Sequence, residues 1–376
     1  MSIPRPLVAL DIGSTKVACA LGVPQEAGGF DLLGSSLVDY PGAPEAWLDD
    51  PLLVGRTIEQ ALEATGVHGD FHRALVTFSH PAQMYERIRS TVRVADEPLA
   101  IRPQDLRRLE QAAVHQALPV DREPLLVTRL SCAGNGFDGV QDPRGLPATR
   151  ISGQFSIVTI PLAARRALVQ AVESAGLEVT AIVPGIQALA AATVSRHDRV
   201  LLMELGGLSS TLAVWAEGRL QALGTVAWGG ATWTRTLASD AHVTLEDALR
   251  MSLQGLHSRH PGARQTLESH LAALHEAAHQ LLAREPLPER ALIGGRGAMI
   301  DGVVEWLEQA TGIKTELARH PRTQRIGEVG RQLGLTPVMG VLELATRGNG
   351  TAGAPRSFGV FDRLVDRTRT LLAEYF

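Results

Sequence analysis

The chain has 376 residues, 45% of them hydrophobic, which is enough apolar surface for a large core and, at this length, for more than one subdomain. A formal net charge of -4 leaves no basic footprint and argues against a nucleic-acid binder. The two cysteines, Cys19 and Cys132, cannot build a disulfide framework, which suits a reducing cytoplasm.

No run reaches the ~18 apolar residues of a spanning helix, and the opening segment lacks the apolar core of a signal peptide, so any membrane contact is expected to be peripheral. In chain order, the first signal is a strand, loop and strand. Leu7 to Leu10 are apolar, Asp11 closes the run, Gly13 allows a turn, Ser14, Thr15 and Lys16 follow, and Val17 to Leu21 resume the pattern. Lys16 and Lys314 are the only lysines. A helix is expected around Gly55 to Thr65. From about Ser79 to Pro161 the pattern predicts an inserted unit with a helix over Pro103 to Ala117 and several strands, after which a helix, a turn, a strand and an alanine-rich helix follow.

Near mid-chain the first signal returns. Leu201 to Met203, Glu204, Gly206, Gly207, Ser209, Ser210 and Leu212 to Trp215 repeat the order of apolar run, acid, glycine, hydroxyls and apolar run. Each copy reads either as a hairpin with a glycine turn or as a loop built for phosphate. In the second reading the acid holds magnesium through water, the glycine admits phosphate to backbone N–H groups, and hydroxyls and lysine add donors and charge. No GxxxxGK[ST] and no GxGxxG after a strand is present. Gly229 and Gly230 precede a further helix. Ala291 to Ile293 form a strand ending at Gly294, Gly295 and Arg296, a place for a flat base to lie on backbone.

His275 to His279 match HExxH, the zinc-protease pattern, but no third ligand is in view, so coincidence is the expectation. Asp138 and Asp142 lack the spacing of a calcium loop and read as a turn. Residues 346–357 read as a flexible linker. Beyond them Phe358, Phe361, Leu364, Val365, Leu371, Leu372, Tyr375 and Phe376 fall near one helical face, suited either to docking on the protein or to insertion at a bilayer surface. Three arginines there are offset by Asp362, Asp366 and Glu374, so apolar burial must dominate lipid binding.

The three glycine sites, in this order, resemble the first phosphate, second phosphate and adenosine motifs of the actin-like ATPase superfamily. More narrowly the chain resembles FtsA, through Ile101 to Thr159 with its Asp142-Pro143-Arg144-Gly145-Leu146 turn, through "AWGGATWTRTLA", and through the terminal helix. The resemblance implies an α/β, actin-like fold, ribonuclease H-like and duplicated, with an inserted α+β subdomain and a C-terminal amphipathic helix. It implies subdomain IA over 1–78 and 161–198, IC over 79–160, IIA and IIB over 199–345, a linker over 346–357 and a membrane-targeting helix over 358–376.

It further implies ATP and Mg2+ held by Asp11, Gly13, Ser14, Thr15, Lys16, Glu204, Gly206, Gly207, Ser209, Ser210, Gly229, Gly230, Gly294, Gly295 and Arg296, with Asp11 positioning the metal. The partners implied are an FtsZ-like division protein, membrane lipid and further copies of the chain in filaments, on the inner face of the cell membrane at the division site. Four departures are expected to weaken nucleotide handling: Glu204 for the family's aspartate, Leu208 for a third glycine, Thr236 for an acid, and Leu249 with Ser252 for an acid and a lysine near the nucleoside. ATP binding with at most weak hydrolysis is therefore expected. A nucleotide-degenerate membrane scaffold, in division or in type IV pilus assembly as for PilM, is the alternative. A small-molecule kinase would need a catalytic acid between the lobes, and no candidate stands out.

Overall fold

The computed structural model describes residues 6–26, 28–255 and 261–347. The first lobe opens with β1 (Leu7–Ile12), β2 (Lys16–Pro24), β3 (Phe30–Asp39), α1 (Pro51–Glu63) and β4 (Arg73–Phe78). The inserted unit follows as β5 (Met84–Arg93), β6 (Leu99–Ala100), α2 (Pro103–Ala117), β7 (Arg122–Gly134), β8 (Phe137–Val140), β9 (Pro147–Ala148) and β10 (Arg150–Pro161). The chain returns through α3 (Leu162–Ser174), β11 (Glu178–Pro184) and α4 (Gly185–Thr193). The second lobe holds β12 (Arg199–Leu205), β13 (Ser210–Ala216), β14 (Arg219–Val226), α5 (Gly230–Ala241), α6 (Leu245–Leu253), α7 (Pro261–Leu282), β15 (Arg290–Gly294), α8 (Val303–Thr311) and β16 (Thr315–Leu317), and α9 (Val329–Thr346) ends the described chain.

The two lobes are built to one plan. The first sheet has the order β11-β4-β1-β2-β3 and the second β16-β15-β12-β13-β14 when read from the same edge. In both, the opening hairpin is antiparallel and the next two strands add in parallel, so the repeat seen in the loops extends to whole sheets. Parallel strands covered on both faces read as continuous apolar runs rather than alternating ones, as β1 and β12 do.

β1 shows how the covering is sorted. Val8, Leu10 and Ile12 face one way and pack with Val54, Ile58 and Ala61 of α1 and Leu168 of α3. Ala9, with Ala18 and Ala20 of β2, faces the other way and packs with Val338, Met339, Val341 and Leu342 of α9. Alternation along a strand does this, and the small alanines let α9 lie close. Asp11 follows Ala9 in that alternation. α4 is buried around its whole circumference and joins residues of both lobes in one core, with Leu189 among Val200, Leu202 and Leu292.

The expected boundary of the second half at residue 345 needs correction, because α9 lies on the first lobe's sheet. Its apolar pattern says that it docks but does not name the sheet; the alanine face of β1 and β2 does. The inserted unit is a four-stranded antiparallel sheet, β5-β10-β7-β8, under α2, with its own core of Leu109, Val114, Ile151, Phe155 and Ile157. The helix expected over Pro103 to Ala117 is α2.

Among the described residues no helix is long and apolar enough to cross a membrane. Residues 348–376, with the linker and the terminal amphipathic helix from Phe358 to Phe376, lie outside the described residues.

Candidate functional site

The two glycine loops are equivalent turns. The Gly13 N–H donates to the Lys16 carbonyl at 2.9 Å, and the Gly206 N–H to the Ser209 carbonyl at 3.0 Å. Each is a hairpin, and together they are the floor of one cleft. They touch across it: a Cβ built on Gly207 would lie 2.6 Å from the Ser14 hydroxyl and 2.6 Å from the Thr15 methyl. Only glycine allows that approach.

The cleft between the lobes has a volume of about 920 Å3, within the range of small-molecule and cofactor sites. Of the residues singled out in the sequence, Asp11, Gly13, Ser14, Thr15, Lys16, Glu204, Gly206, Gly207, Ser209, Gly230, Gly295 and Arg296 line it. Three expected residues stand behind it. The Ser210 hydroxyl donates to the Trp228 carbonyl at 2.7 Å. Gly229 lies so close that a Cβ would be 2.5 Å from the Gly206 carbonyl, and a Cβ on Gly294 would meet Leu189. These three shape the loops and are not among the residues that line the cleft. The Gly230 and Ala231 N–H groups, which open α5, donate to the Gly206 and Gly207 carbonyls, each at 2.9 Å, and brace the second loop from below.

The charged centre is buried. Lys16 pairs with Asp11 and also donates to the Gly334 carbonyl of α9 at 3.1 Å. Pro337 brings no N–H to the ladder of α9 just beyond that carbonyl. Glu204 accepts from the Ser79 hydroxyl at 2.9 Å and sits against Gly185, where a Cβ would be 2.6 Å from its carboxylate. Burial, and then the charge of Asp11, push the Glu204 carboxyl up to about 7.

Three polar residues here carried no sequence signal. Ser79 follows β4 as Gly295 follows β15, so an alignment of the two halves strand by strand would have found it. Thr77 Oγ1 and Gln187 Oε1 are buried with no hydrogen-bond partner among the described residues. Thr77 is in register with Asp11, and Gln187 lies in the first turn of α4, two residues from Gly185. Buried polar groups are nearly always paired, so orphans beside a charged cleft fit a site that completes its bonds with water or a ligand.

The departures also have defined places. Leu208 packs on the core that joins the two lobes. The Thr236 hydroxyl donates within its own helix to the Thr232 carbonyl at 3.0 Å. Ser252 accepts from Trp233 Nε1 at 2.9 Å and donates to the Ala248 carbonyl at 2.9 Å, which leaves it engaged inside the second lobe. Across the mouth, Arg296 pairs with Asp39 and Arg235 with Glu45.

The HExxH residues project from α7, with the His275 and His279 rings 6.3 Å apart and both side chains exposed. No group of three or more metal-ligating side chains occurs among the described residues. Asp142 pairs with Arg144 in a loop, whereas Asp138 lies in β8 rather than in a turn and accepts from the Gly139 N–H at 2.8 Å.

A model described as the SHS2 domain inserted in FtsA matches residues 84–159, the strands and helix of the inserted sheet. The chain is 25% identical over 254 residues to the cell division protein FtsA of Bacillus subtilis (strain 168), covering 66% of this chain and 57% of that protein. The match thus spans little over half of the relative's length. A chain of the PilM-PilN type IV pilus biogenesis complex superposes with a TM-score of 0.70 at 14% identity, covering 92% of this chain and 98% of the other. The ethanolamine utilization protein EutJ from Carboxydothermus hydrogenoformans gives 0.53 at 13% identity, with 90% of each chain covered. Duplicated sheets around a two-loop cleft, with an SHS2 insertion, make an actin-like fold. In sequence the chain is similar to FtsA over about two thirds of its length.

Proposed function

We propose that the protein is an FtsA-like cell-division protein that binds ATP with Mg2+ between its lobes, self-associates into filaments and joins an FtsZ-like division protein to the membrane through residues 358–376. In this reading the first lobe, with α9, is subdomain IA, the inserted sheet is IC and the second lobe is IIA and IIB.

The observation that carries the nucleotide part is the meeting of two equivalent hairpins over Asp11, Lys16 and Glu204. Entry of the phosphates would draw Lys16 away from Asp11 and free that carboxylate to hold Mg2+ through water. The hydroxyls of Ser14, Thr15 and Ser209 supply donors. At most weak hydrolysis is expected, because Glu204 is partly protonated near neutral pH and Thr236 and Ser252 bond within the protein. The PilM likeness is one of fold alone, whereas the sequence match is to FtsA, which supports the division reading over the pilus one. A scaffold without nucleotide is the second reading, and the engaged Lys16 favours it.

Melting with and without Mg2+ and ATP separates the two. Ligand at about 100 times its dissociation constant should add about 2.7 kcal/mol to stability. Lys16→Ala should lose the shift. No shift up to millimolar ATP would leave the scaffold reading. For the tail, pelleting with liposomes should fall when the chain is stopped at Ser357, because one interfacial helix supplies the contact and assembly multiplies it. Equal pelleting of both forms would refute the anchor.

A further inference from the structure

The wall of the cleft formed by α6 bears on which base it takes. Leu245, Leu249 and Leu253 line the cleft and recur every four residues, on one face of the helix. They are 59%, 46% and 48% exposed, an apolar stripe left uncovered by the described residues. Met299 and Ile300 line the same cleft. A nucleotide's anionic tail belongs with Lys16 and the hydroxyls of the two loops. The flat base is the part left to cover leucines.

Reading a base by its edge needs buried polar groups that go unpaired when the wrong base enters. Ser252, 1% exposed, is such a group by position, but both its bonds are made to Trp233 and Ala248. Arg296 and Arg235 are held by Asp39 and Glu45. Glu246, Glu328 and Arg331 also line the cleft, at exposed or half-buried positions where water satisfies whatever a base does not. A site built to pair with one polar edge rejects the other by about 10,000-fold, whereas apolar contact discriminates by roughly tenfold.

We infer that the cleft holds a purine by its apolar face and takes adenine and guanine nucleoside triphosphates with affinities within about tenfold of each other. This rests on the proposed nucleotide site. The test is a titration of the full chain with ATP, GTP and inorganic tripolyphosphate, each with Mg2+, followed by calorimetry and by melting temperature, for the wild type and Leu249→Ala. ATP and GTP should bind alike and more tightly than tripolyphosphate. Leu249→Ala, at an exposed position that leaves the core intact, should weaken both nucleotides by about tenfold and tripolyphosphate not at all. A preference for ATP above about a hundredfold, an effect of Leu249→Ala on one nucleotide only, or tripolyphosphate binding as tightly as ATP overturns the inference and leaves the phosphate site standing. Binding of none of the three overturns the nucleotide site with it.

Discussion

Glu204 is where single residues matter most. Its carboxyl is raised from 4.5 to about 7, so the fold favours the protonated form. Below pH 4.5 that contribution is fully present; as pH rises to 7 the unfolded chain ionises and the folded one does not, so stability is lost, and above 7 the loss levels off. The size is about 3 kcal/mol. Glu204→Gln stays neutral at every pH, so its stability relative to the wild type should rise between about pH 5 and pH 8 by an amount of that order. A difference in melting temperature that does not change with pH would show that Glu204 titrates normally. Asp11, Gly13, Lys16 and Glu204 were all legible in the sequence, because strand, acid, glycine and hydroxyls are local in the chain. Thr77, Ser79 and Gln187 were not, since nothing in their own neighbourhoods marks them. Ser79 reaches the cleft, and Thr77 and Gln187 lie buried behind it, only because β4 pairs with β1 and α4 starts beside Glu204.

At the scale of elements, the crossing of α9 with α4 tests the close packing of the first lobe. A Cβ on Gly340 would lie 1.8 Å from the Ala188 carbonyl oxygen, a backbone atom that cannot swing aside. Gly340→Ala should therefore cost more than about 3 kcal/mol in chemical denaturation, although alanine is the better helix former by about 1 kcal/mol. Gly262→Ala in α7, where a Cβ meets nothing within 4 Å, should be neutral or slightly stabilising. If both variants behaved alike, helix propensity and not contact would govern the crossing. The period of α9 was readable, but its partner was not: Leu335, Val338 and Leu342 would suit either sheet. The alanines of β1 and β2 left room for it on one.

Across the whole molecule, the lobes meet through α4, through Leu208, and through the ion pairs Arg296–Asp39 and Arg235–Glu45 at the mouth of the cleft. These pairs are half-exposed, with Arg235 at 50% and Glu45 at 46%, so each adds at most about 1 kcal/mol. Their leverage is on opening. Asp39→Asn with Glu45→Gln should change the melting temperature little, yet speed amide exchange at Gly13 to Lys16 and Gly206 to Ser209, and high salt should do the same to the wild type. Unchanged exchange would mean that the buried contacts between the lobes, α4 and the Ser79–Glu204 hydrogen bond among them, hold the cleft without the two ion pairs. By itself the sequence determined the class of fold, the two hairpins and the acids that close their first strands, because turn chemistry and apolar period act over a few residues. Only the tertiary structure decided that the hairpins touch, that Ser210, Gly229 and Gly294 stand behind the cleft, and that Lys16 is held by Asp11 and α9. Those outcomes depend on distances between residues far apart in the chain, which are set by how helices of particular side-chain size settle on the two sheets.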